Sequence, residues 1–327
     1  MISAAVGVAC DDDEVTVAGP VPLTESCGDR DPLRRPYFGD LHIHTTYSLD
    51  ASTQGTLVVP ADSYRFARGE RLAIQPYDGA GTALRHLQLA RPLDFAAVTD
   101  HAEFFGEVTI CQTPSHPAYF APECILYREQ PDQAFLVMNA LLSVPGVGLP
   151  PLLPKSVPRF PGICGIGGGA CVEAARTPWG IAQEAAAEAY DRCSFTSFVG
   201  YEWSGSPLIK NLHRNVIFAN EHVPEVPASY LDYPDPELLW AALARDCLDA
   251  SSGCDVLTIP HNSNLSGGIM FQTRDGSGRS FTAEFATTKQ SFEPLVEVFQ
   301  HKGDSECFYG PRATDEHSSI QKFRINN

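Results

Sequence analysis

Short apolar runs with the composition of β-strands recur along the chain, and most of them end at a histidine or an acidic residue. The runs cover residues 93–99, 195–201, 255–260 and 295–300, and they are followed by Asp100 with His101, by Glu202, by His261 and by His301. Runs of this length that are rich in β-branched and aromatic residues predict strands. Each predicted strand therefore brings a polar side chain to its carboxyl end.

Three more histidines extend this pattern. His42 and His44 lie inside another predicted strand, residues 37–45. Alternation along a strand places residues i and i+2 on one face, so both imidazoles can face one small space, as a shared metal ion requires. His213 differs, because it precedes the apolar residues 215–218 and is predicted to lie at the start of its strand.

Helix-like spacing or composition separates the predicted strands. It predicts helices at about residues 60–70, 132–142, 178–193 and 235–250. Pro178 and Pro236 suit the first turns of the last two helices. The alternation of strands and helices predicts a parallel α/β arrangement, in which the carboxyl ends of the strands form the active face.

A segment rich in proline and glycine, about residues 103–177, interrupts this alternation. We interpret it as an insertion that covers the active face. Its glycine cluster at residues 165–169 lacks the lysine of a phosphate-binding loop, and no dinucleotide-binding fingerprint follows a strand there. Nucleotide binding by either of these motifs is therefore not expected.

Composition favours one large globular domain, predicted at residues 36–327, after an amino-terminal extension at residues 1–35. A chain of 327 residues that is 43% hydrophobic can bury a full core. No apolar stretch approaches the roughly 20 residues of a membrane span. The formal charge of −17 disfavours nucleic acid as a partner. A small anionic substrate remains compatible with this charge, because bound metal cations reverse the field locally.

The chain contains ten cysteines, which is many for a reducing compartment. Three close pairs, Cys111/Cys124, Cys164/Cys171 and Cys247/Cys254, can each close a short loop, although sequence alone does not fix the connectivity. The alternative is a set of scattered buried thiols. We predict that the protein is exported and that most of its cysteines are oxidised.

The first ten residues resemble the end of a bacterial export signal, with Cys10 as a lipid-accepting cysteine. This favours a periplasmic protein or an outer-surface lipoprotein. The segment is short and has no positively charged beginning, so the alternative is a chance similarity.

Taken together, the ordered polar motifs resemble those of the polymerase and histidinol phosphatase (PHP) superfamily, and most closely an exported bacterial PHP-like family of unknown function. The motifs are Asp40-Leu41-His42-Ile43-His44-Thr45, Ser48-Leu49-Asp50, Thr99-Asp100-His101, Glu202, His213 and Pro260-His261-Asn262. The resemblance implies a distorted, TIM-like (β/α)7 barrel that holds up to three divalent metals.

The resemblance also implies a role for each matching residue. His42 and His44 would bind a first metal, and Glu202 would bridge two metals. His213 and His261 would complete the second metal, while Asp50 and His101 would serve a third. Asp100 is expected either to take part in catalysis or to orient a ligand histidine.

Neutral imidazoles and carboxylates suit Zn, Mn or Fe(II), and a bridging carboxylate holds two cations close enough to share a hydroxide. We therefore expect a metal-dependent hydrolase that attacks a phosphoester or a related anionic ester with a metal-bridging hydroxide. Arg214, beside His213, is a candidate for gripping substrate oxygens. The alternatives are hydrolysis of a C–N or sulfate ester bond, or a metal-stabilised binding protein or scaffold without turnover.

One departure from the family pattern concerns the end of the chain. PHP proteins complete their site with an Asp-x-His pair at a late strand end, and no predicted strand after His261 ends in such a pair; Asp315-Glu316-His317 has the spacing but follows no predicted strand. The expectation is a barrel that is incomplete at its carboxyl terminus, with only about six of its strands, and a correspondingly poor phosphoesterase.

Overall fold

A computed structural model describes Cys27 and residues 33–143, 159–274, 279–300 and 303–304. The chain divides into two units, Met1–Pro36 and Tyr37–Asn327, and all helices and strands described below belong to the second unit. Cys10 and His301, both singled out in the sequence, lie outside the described residues.

The main sheet has five strands in the order β1-β4-β5-β6-β7. The strands are β1 (Gly39–Ile43), β4 (Phe95–Val98), β5 (Thr196–Gly205), β6 (Leu212–Phe218) and β7 (Val256–Pro260). The pairs β1–β4 and β4–β5 are parallel, whereas β5–β6 and β6–β7 are antiparallel. The protein is therefore a mixed α/β protein.

This mixed sheet corrects the prediction of a parallel (β/α)7 barrel. The described residues form no closed barrel, and only six residues separate β5 from β6. A connection this short makes an antiparallel hairpin, because a parallel pair needs a crossover of a dozen or more residues. His213 is the second residue of β6 and so lies at the start of its strand, as predicted.

Two small sheets complete the strands of the described residues. The hairpin of β2 (Leu72–Tyr77) and β3 (Ala83–Leu87) was not predicted from the sequence. Only two residues of the predicted strand 295–300 are extended, as β8 (Phe299–Gln300), which pairs with β9 (Gly303–Asp304).

All four predicted helices are present, with shifted bounds. The helices are α1 (Leu49–Thr53), α2 (Pro60–Ala67), α3 (Phe105–Gln112), α4 (Pro122–Glu129), α5 (Pro131–Leu142), α6 (Pro161–Cys164), α7 (Gly169–Ala189), α8 (Pro236–Leu243) and α9 (Ala283–Phe292). Pro236 occupies the first turn of α8 as predicted, and a π-helical turn, Ala244–Leu248, continues that helix. Pro178 instead lies inside α7, which begins nine residues earlier than predicted.

The described part of the segment 103–177 is largely helical. It comprises α3 to α6 and the beginning of α7. Helices α3 and α7 approach so closely at Gly106 that a Cβ there would lie 1.9 Å from the backbone oxygen of Cys171. Glycine is therefore the residue that this helix contact requires.

The three predicted cysteine pairs are confirmed as disulfides. They join Cys111 to Cys124, Cys164 to Cys171 and Cys247 to Cys254. Cys27 and Cys193 are also in disulfide bonds. This usage indicates an oxidising, extracellular type of environment. No helix among the described residues is long and apolar enough to cross a membrane.

The main sheet has two different faces. The larger hydrophobic core, with Trp179, Tyr201 and Trp203, lies on one face. A small apolar cluster occupies the other and contains Ala97 and Ile217. The polar residues at the strand ends continue this second face, and it is there that the candidate site forms.

Candidate metal centre

Glu202 lies at the centre of the site, completely buried, with imidazoles around both carboxylate oxygens. The distances are 3.3 Å from Oε2 to His42 Nε2, 2.9 Å from Oε2 to His44 Nε2, 2.7 Å from Oε1 to His213 Nδ1, 3.3 Å from Oε1 to His101 Nδ1 and 3.5 Å from Oε1 to His261 Nε2. The structure thus brings together five histidines and one glutamate that the sequence nominated.

The hairpin β5–β6 fixes part of this cluster through its register. Glu202 pairs with Asn215, and Ser204 pairs with His213. Because side chains alternate along a strand, these four residues share the face that carries the site. Tyr201, the residue before Glu202, turns into the larger core.

Strand β1 supplies His42, and His44 follows one residue after the strand ends; the pairing of β1 is irregular here. The register with β4 shifts between Asp40 and Ile43. Leu41 packs in the small cluster on the site face, whereas Ile43, two residues later, packs against the larger core. A bulge has this effect, because an extra residue on one strand changes which face the following side chains occupy.

Two further carboxylates contact the far nitrogens of these imidazoles. Asp50 Oδ2 lies 3.0 Å from His44 Nδ1 and 3.4 Å from His101 Nε2. Glu297 Oε2 lies 2.8 Å from His42 Nδ1. A carboxylate in this position fixes the tautomer and the orientation of a ligand histidine. The structure therefore places Asp50, nominated as a ligand, where it can also act as an orienting group.

Glu297 was not nominated from the sequence. The sequence did contain a sign of its role, because Glu297 lies within the apolar run 295–300. Burying an acidic side chain costs free energy unless it contacts a polar partner. The backbone N–H of Glu297 donates to the oxygen of Pro260, 3.0 Å away, which holds this segment beside β7. The position of Glu297 next to His42 thus depends on a contact between residues that are far apart in the sequence.

Burial and charge act in opposite directions on the pKa values in the cluster. Burial alone would raise the pKa of Glu202, but the surrounding histidines, His101 foremost, hold it well below its usual range. Burial would lower the pKa of His42, but hydrogen bonds to Glu202 and Glu297 raise it to about 9. The same balance raises the pKa of His44, next to Asp50 and Glu202. The nearby carboxylates thus favour the protonated, positively charged form of these imidazoles.

His261 behaves differently from the other histidines. Burial lowers its pKa to about 3, although Glu202 partly offsets the shift. Both ring nitrogens are buried, and neither makes a hydrogen bond with the described residues. A neutral imidazole whose ring nitrogen has an unshared lone pair is the form in which histidine binds a metal.

The donor atoms also fit a metal centre by distance. One group comprises His42, Glu202 and His261, and a second comprises His44, His101 and Glu202, with the atoms of each group within 4.8 Å of one another. Imidazole and carboxylate donors suit Zn, Mn or Fe(II). Glu202 belongs to both groups, as a bridging ligand would.

Another group of similar spacing, Glu107 with Cys164 and Cys171, does not fit a metal in the same way. Its two sulfur atoms are joined in a disulfide, so neither is a thiolate. Metals bind cysteine as the thiolate.

Asp100 lies beside the cluster and stabilises the turn after β1. Its carboxylate accepts hydrogen bonds from the backbone N–H of Thr45 and, at 2.6 Å, from the Thr45 hydroxyl. Burial raises the pKa of Asp100 to about 6, and these hydrogen bonds offset part of the shift. Asp100 therefore positions the backbone next to His44.

Arg214, which was predicted from the sequence to bind substrate oxygens, does not lie in the site. Alternation along β6 turns it to the opposite face from His213, where it is fully buried. Its Nε donates to Glu293 Oε1 at 2.5 Å, and its Nη1 donates to the oxygen of Leu212 at 2.6 Å. Arg214 follows His213 directly in the sequence, but the side chains of consecutive residues in a strand face opposite ways.

The fold and the cluster define a mixed α/β protein with a candidate metal centre. Over residues 31–327 the chain matches the family described as "Protein of unknown function (DUF3604)", and it belongs to that family. This finding and the mixed sheet correct the assignment to the PHP superfamily, which no match supports. No curated protein and no solved structure matches the chain.

Proposed function

We propose that this protein is a metal-dependent hydrolase that acts on phosphoesters or related anionic esters. The observation that carries the proposal is the position of Glu202, whose carboxylate belongs to two groups of donor atoms at once. Two cations held by one bridging carboxylate are a common arrangement in enzymes that hydrolyse phosphate esters.

The residues divide naturally between two cations. His42 and His261 would hold one with Glu202, and His44 and His101 would hold the other with Glu202. Divalent cations at these positions would polarise the ester, activate water and neutralise developing charge. His213 Nδ1 lies 2.7 Å from Glu202 Oε1 but belongs to neither group of donor atoms.

The protein's own groups would hold this centre rigid. Asp50 contacts His44 and His101, and Glu297 contacts His42. Each imidazole then keeps a proton on the nitrogen that faces the carboxylate and presents a lone pair on the other. Rigid ligands matter because catalysis requires the reacting atoms to be held in productive geometry.

The formal charge of −17 shapes the choice of substrate. A chain this acidic repels anions at long range. Bound cations would reverse the sign of the field near the histidine cluster, so an anionic group would be attracted to the centre itself. This supports an anionic ester, whereas a neutral amide would gain less from the same centre.

The test combines metal analysis with turnover. Purified protein should contain Zn, Mn or Fe after dialysis, and it should hydrolyse an aryl phosphate or a phosphodiester in a chelator-sensitive manner. Glu202→Gln should lose most of the metal and the activity. Glu284→Gln, the same change at an exposed position of α9, should keep both.

The outcomes separate the alternatives. Folded wild-type protein without metal would refute the metal centre. Bound metal with no turnover of phosphate esters, together with cleavage of a sulfate ester or a C–N bond, would point to those substrates. Bound metal with loss of stability as the only effect of Glu202→Gln would indicate a scaffold. Circular dichroism of each variant establishes that it is folded.

A further inference from the structure

A cavity of about 510 Å³ opens directly beside the candidate metal centre. It lies between β1, α2 and β2, and the residues that line it include Asp40, His42 and His44. Small-molecule sites in proteins commonly have volumes of roughly 300–1,000 Å³. The cavity is therefore large enough for a substrate whose reactive group reaches the centre.

The remainder of the cavity wall is mostly apolar, and its apolar side chains include Val58, Phe66, Ile74 and Leu89. Apart from Asp40 and the two histidines, the polar residues that line the cavity are uncharged, namely Thr56, Ser63 and Gln75. None of the described residues that line the cavity is a lysine or an arginine. A second anionic group would therefore find no cation in this part of the cavity to offset its lost hydration.

The histidines and the apolar residues of the lining thus suit different parts of one molecule. We infer that the substrate is a monoester with a single anionic group and an apolar body, which the cavity between β1, α2 and β2 binds. This inference rests on the proposed function, because it assigns the anionic end of the substrate to the histidine cluster. Sugar phosphates and nucleotides, whose bodies are polar or carry further charge, would lose hydration in this cavity without compensation.

The reaction is a simple hydrolysis of the monoester. A bond forms between the oxygen of water and phosphorus, and the bond from phosphorus to the ester oxygen breaks. The leaving oxygen takes a proton that originates from water, so the products are an apolar alcohol and inorganic phosphate. The alcohol leaves through the open side of the cavity.

The first test compares two substrates with similar leaving groups. Hexyl phosphate and an ether phosphate of the same chain length, with oxygens in place of two methylenes, differ mainly in the polarity of the body. We expect kcat/KM to favour hexyl phosphate at least tenfold, because apolar surface is removed from water only when an apolar body enters an apolar cavity. Equal kcat/KM values would overturn the inference.

Two variants in the hairpin β2–β3 test whether the cavity wall causes the preference for hexyl phosphate. Ile74→Asn changes the cavity wall, and we expect it to reduce the preference for hexyl phosphate to less than threefold. Leu84→Asn makes the same kind of change at a position on β3 that is 62% exposed and does not line the cavity, and it should keep the preference. An unchanged preference in Ile74→Asn would also overturn the inference.

Binding without turnover separates this inference from the proposed function. Hexylphosphonate, which is not hydrolysed, should bind more tightly than the ether phosphonate by calorimetry, and Ile74→Asn should remove the difference. Binding with this preference but no hydrolysis of any ester would support the cavity assignment and refute the hydrolase. Hydrolysis without a preference would leave the hydrolase standing and overturn the cavity assignment. Absence of both binding and hydrolysis would overturn both.

Discussion

Glu297 can control the proposed metal centre without lying among the residues closest to Glu202. Its carboxylate holds Nδ1 of His42 at 2.8 Å, so Glu297→Gln replaces a charged acceptor by a neutral one. Removing such an orienting partner typically weakens metal binding about 10- to 100-fold. We expect this loss in a competition titration with a chromophoric chelator, while the fold is kept.

The exposed substitution Glu284→Gln serves as the control for this titration. It should leave the metal dissociation constant unchanged. If Glu297→Gln binds metal as tightly as the wild-type protein, Glu297 does not orient His42.

At the scale of single residues, the sequence identified most of the centre. Imidazoles at strand ends were recognisable because buried polar groups there need a common partner. Glu297 was missed because its contact with His42 spans 255 residues of sequence. Arg214 was misplaced because adjacency along the chain says nothing about the face of a strand until the register is known.

A buried ion pair joins α3 to the segment just before α6. Arg159 Nη1 donates to Glu107 Oε1 at 3.1 Å, and Nη2 donates to Asp232 Oδ2 at 2.8 Å. Removing one partner of such a pair typically costs about 3–5 kcal/mol, because it leaves an uncompensated charge. We expect Arg159→Met to lower the free energy of unfolding by about 3 kcal/mol at neutral pH, as measured in urea.

The same variant should have a distinctive pH dependence. Burial raises the pKa of Glu107, and Arg159 offsets part of that shift. Without Arg159 the folded-state pKa rises further above the unfolded value. A raised folded pKa gives stability that is present at low pH and lost as pH rises through it. The deficit of Arg159→Met should therefore be smaller at about pH 4.5 than at neutral pH.

Arg176→Met is the matched control for that experiment. Arg176 pairs with Glu173 and Glu225 at the surface, where ion pairs contribute little. Its unfolding free energy should stay close to that of the wild-type protein at both pH values. A deficit of Arg159→Met that does not change with pH would contradict the assignment to Glu107.

The disulfide between Cys111 and Cys124 joins α3 to α4 across 13 residues. Closing a loop of this length restricts the unfolded chain, and the loop-entropy model assigns it about 3 kcal/mol. We expect the double variant Cys111→Ala, Cys124→Ala to unfold at correspondingly lower urea concentration. Addition of reductant should then destabilise the double variant less than the wild-type protein. Equal sensitivity to reductant would show that the other disulfides dominate.

At the scale of elements, the sequence predicted which segments are helices better than it predicted how strands pair. Apolar spacing and Pro236 identified α8, whereas α7 continues through Pro178. Hairpin β2–β3 was missed, and its partly exposed strands show little of the apolar run that marks a buried strand. Pairing direction depends on connection length and tertiary packing, which local composition does not encode.

For the whole molecule, the proposed metal centre should couple to folding. Its proposed ligands come from β1, β5 and the segments after β1, β4 and β7, so a bound cation would link distant parts of the chain. A ligand that binds only the folded state stabilises it by about 2.7 kcal/mol at 100 times its dissociation constant. We expect chelation to lower Tm and metal to restore it, as followed by differential scanning calorimetry.

The control is the same chelator treatment of Glu202→Gln, whose Tm should not respond. An unchanged Tm of the wild-type protein after complete removal of metal, verified by elemental analysis, would show that the cation does not contribute to folding stability.

The general class of the molecule was visible in the sequence, because alternating elements and a high apolar content predict an α/β protein. The prediction of a closed barrel was wrong. Whether a sheet closes is decided by strand tilt and stagger across all its strands. No single run of residues, such as that in β5 or β6, carries this information.

The hairpin β5–β6 makes the site intolerant of small insertions within its strands. Glu202 and His213 face the histidine cluster only because Tyr201, Trp203 and Arg214 face the other way. One extra residue within either strand would exchange the two sets over part of its length, placing an indole or a guanidinium where the carboxylate belongs. Insertions at positions 206–211, between the strands, do not change which side chains of each strand face the site. Length variation that keeps the site working should therefore be confined to that turn.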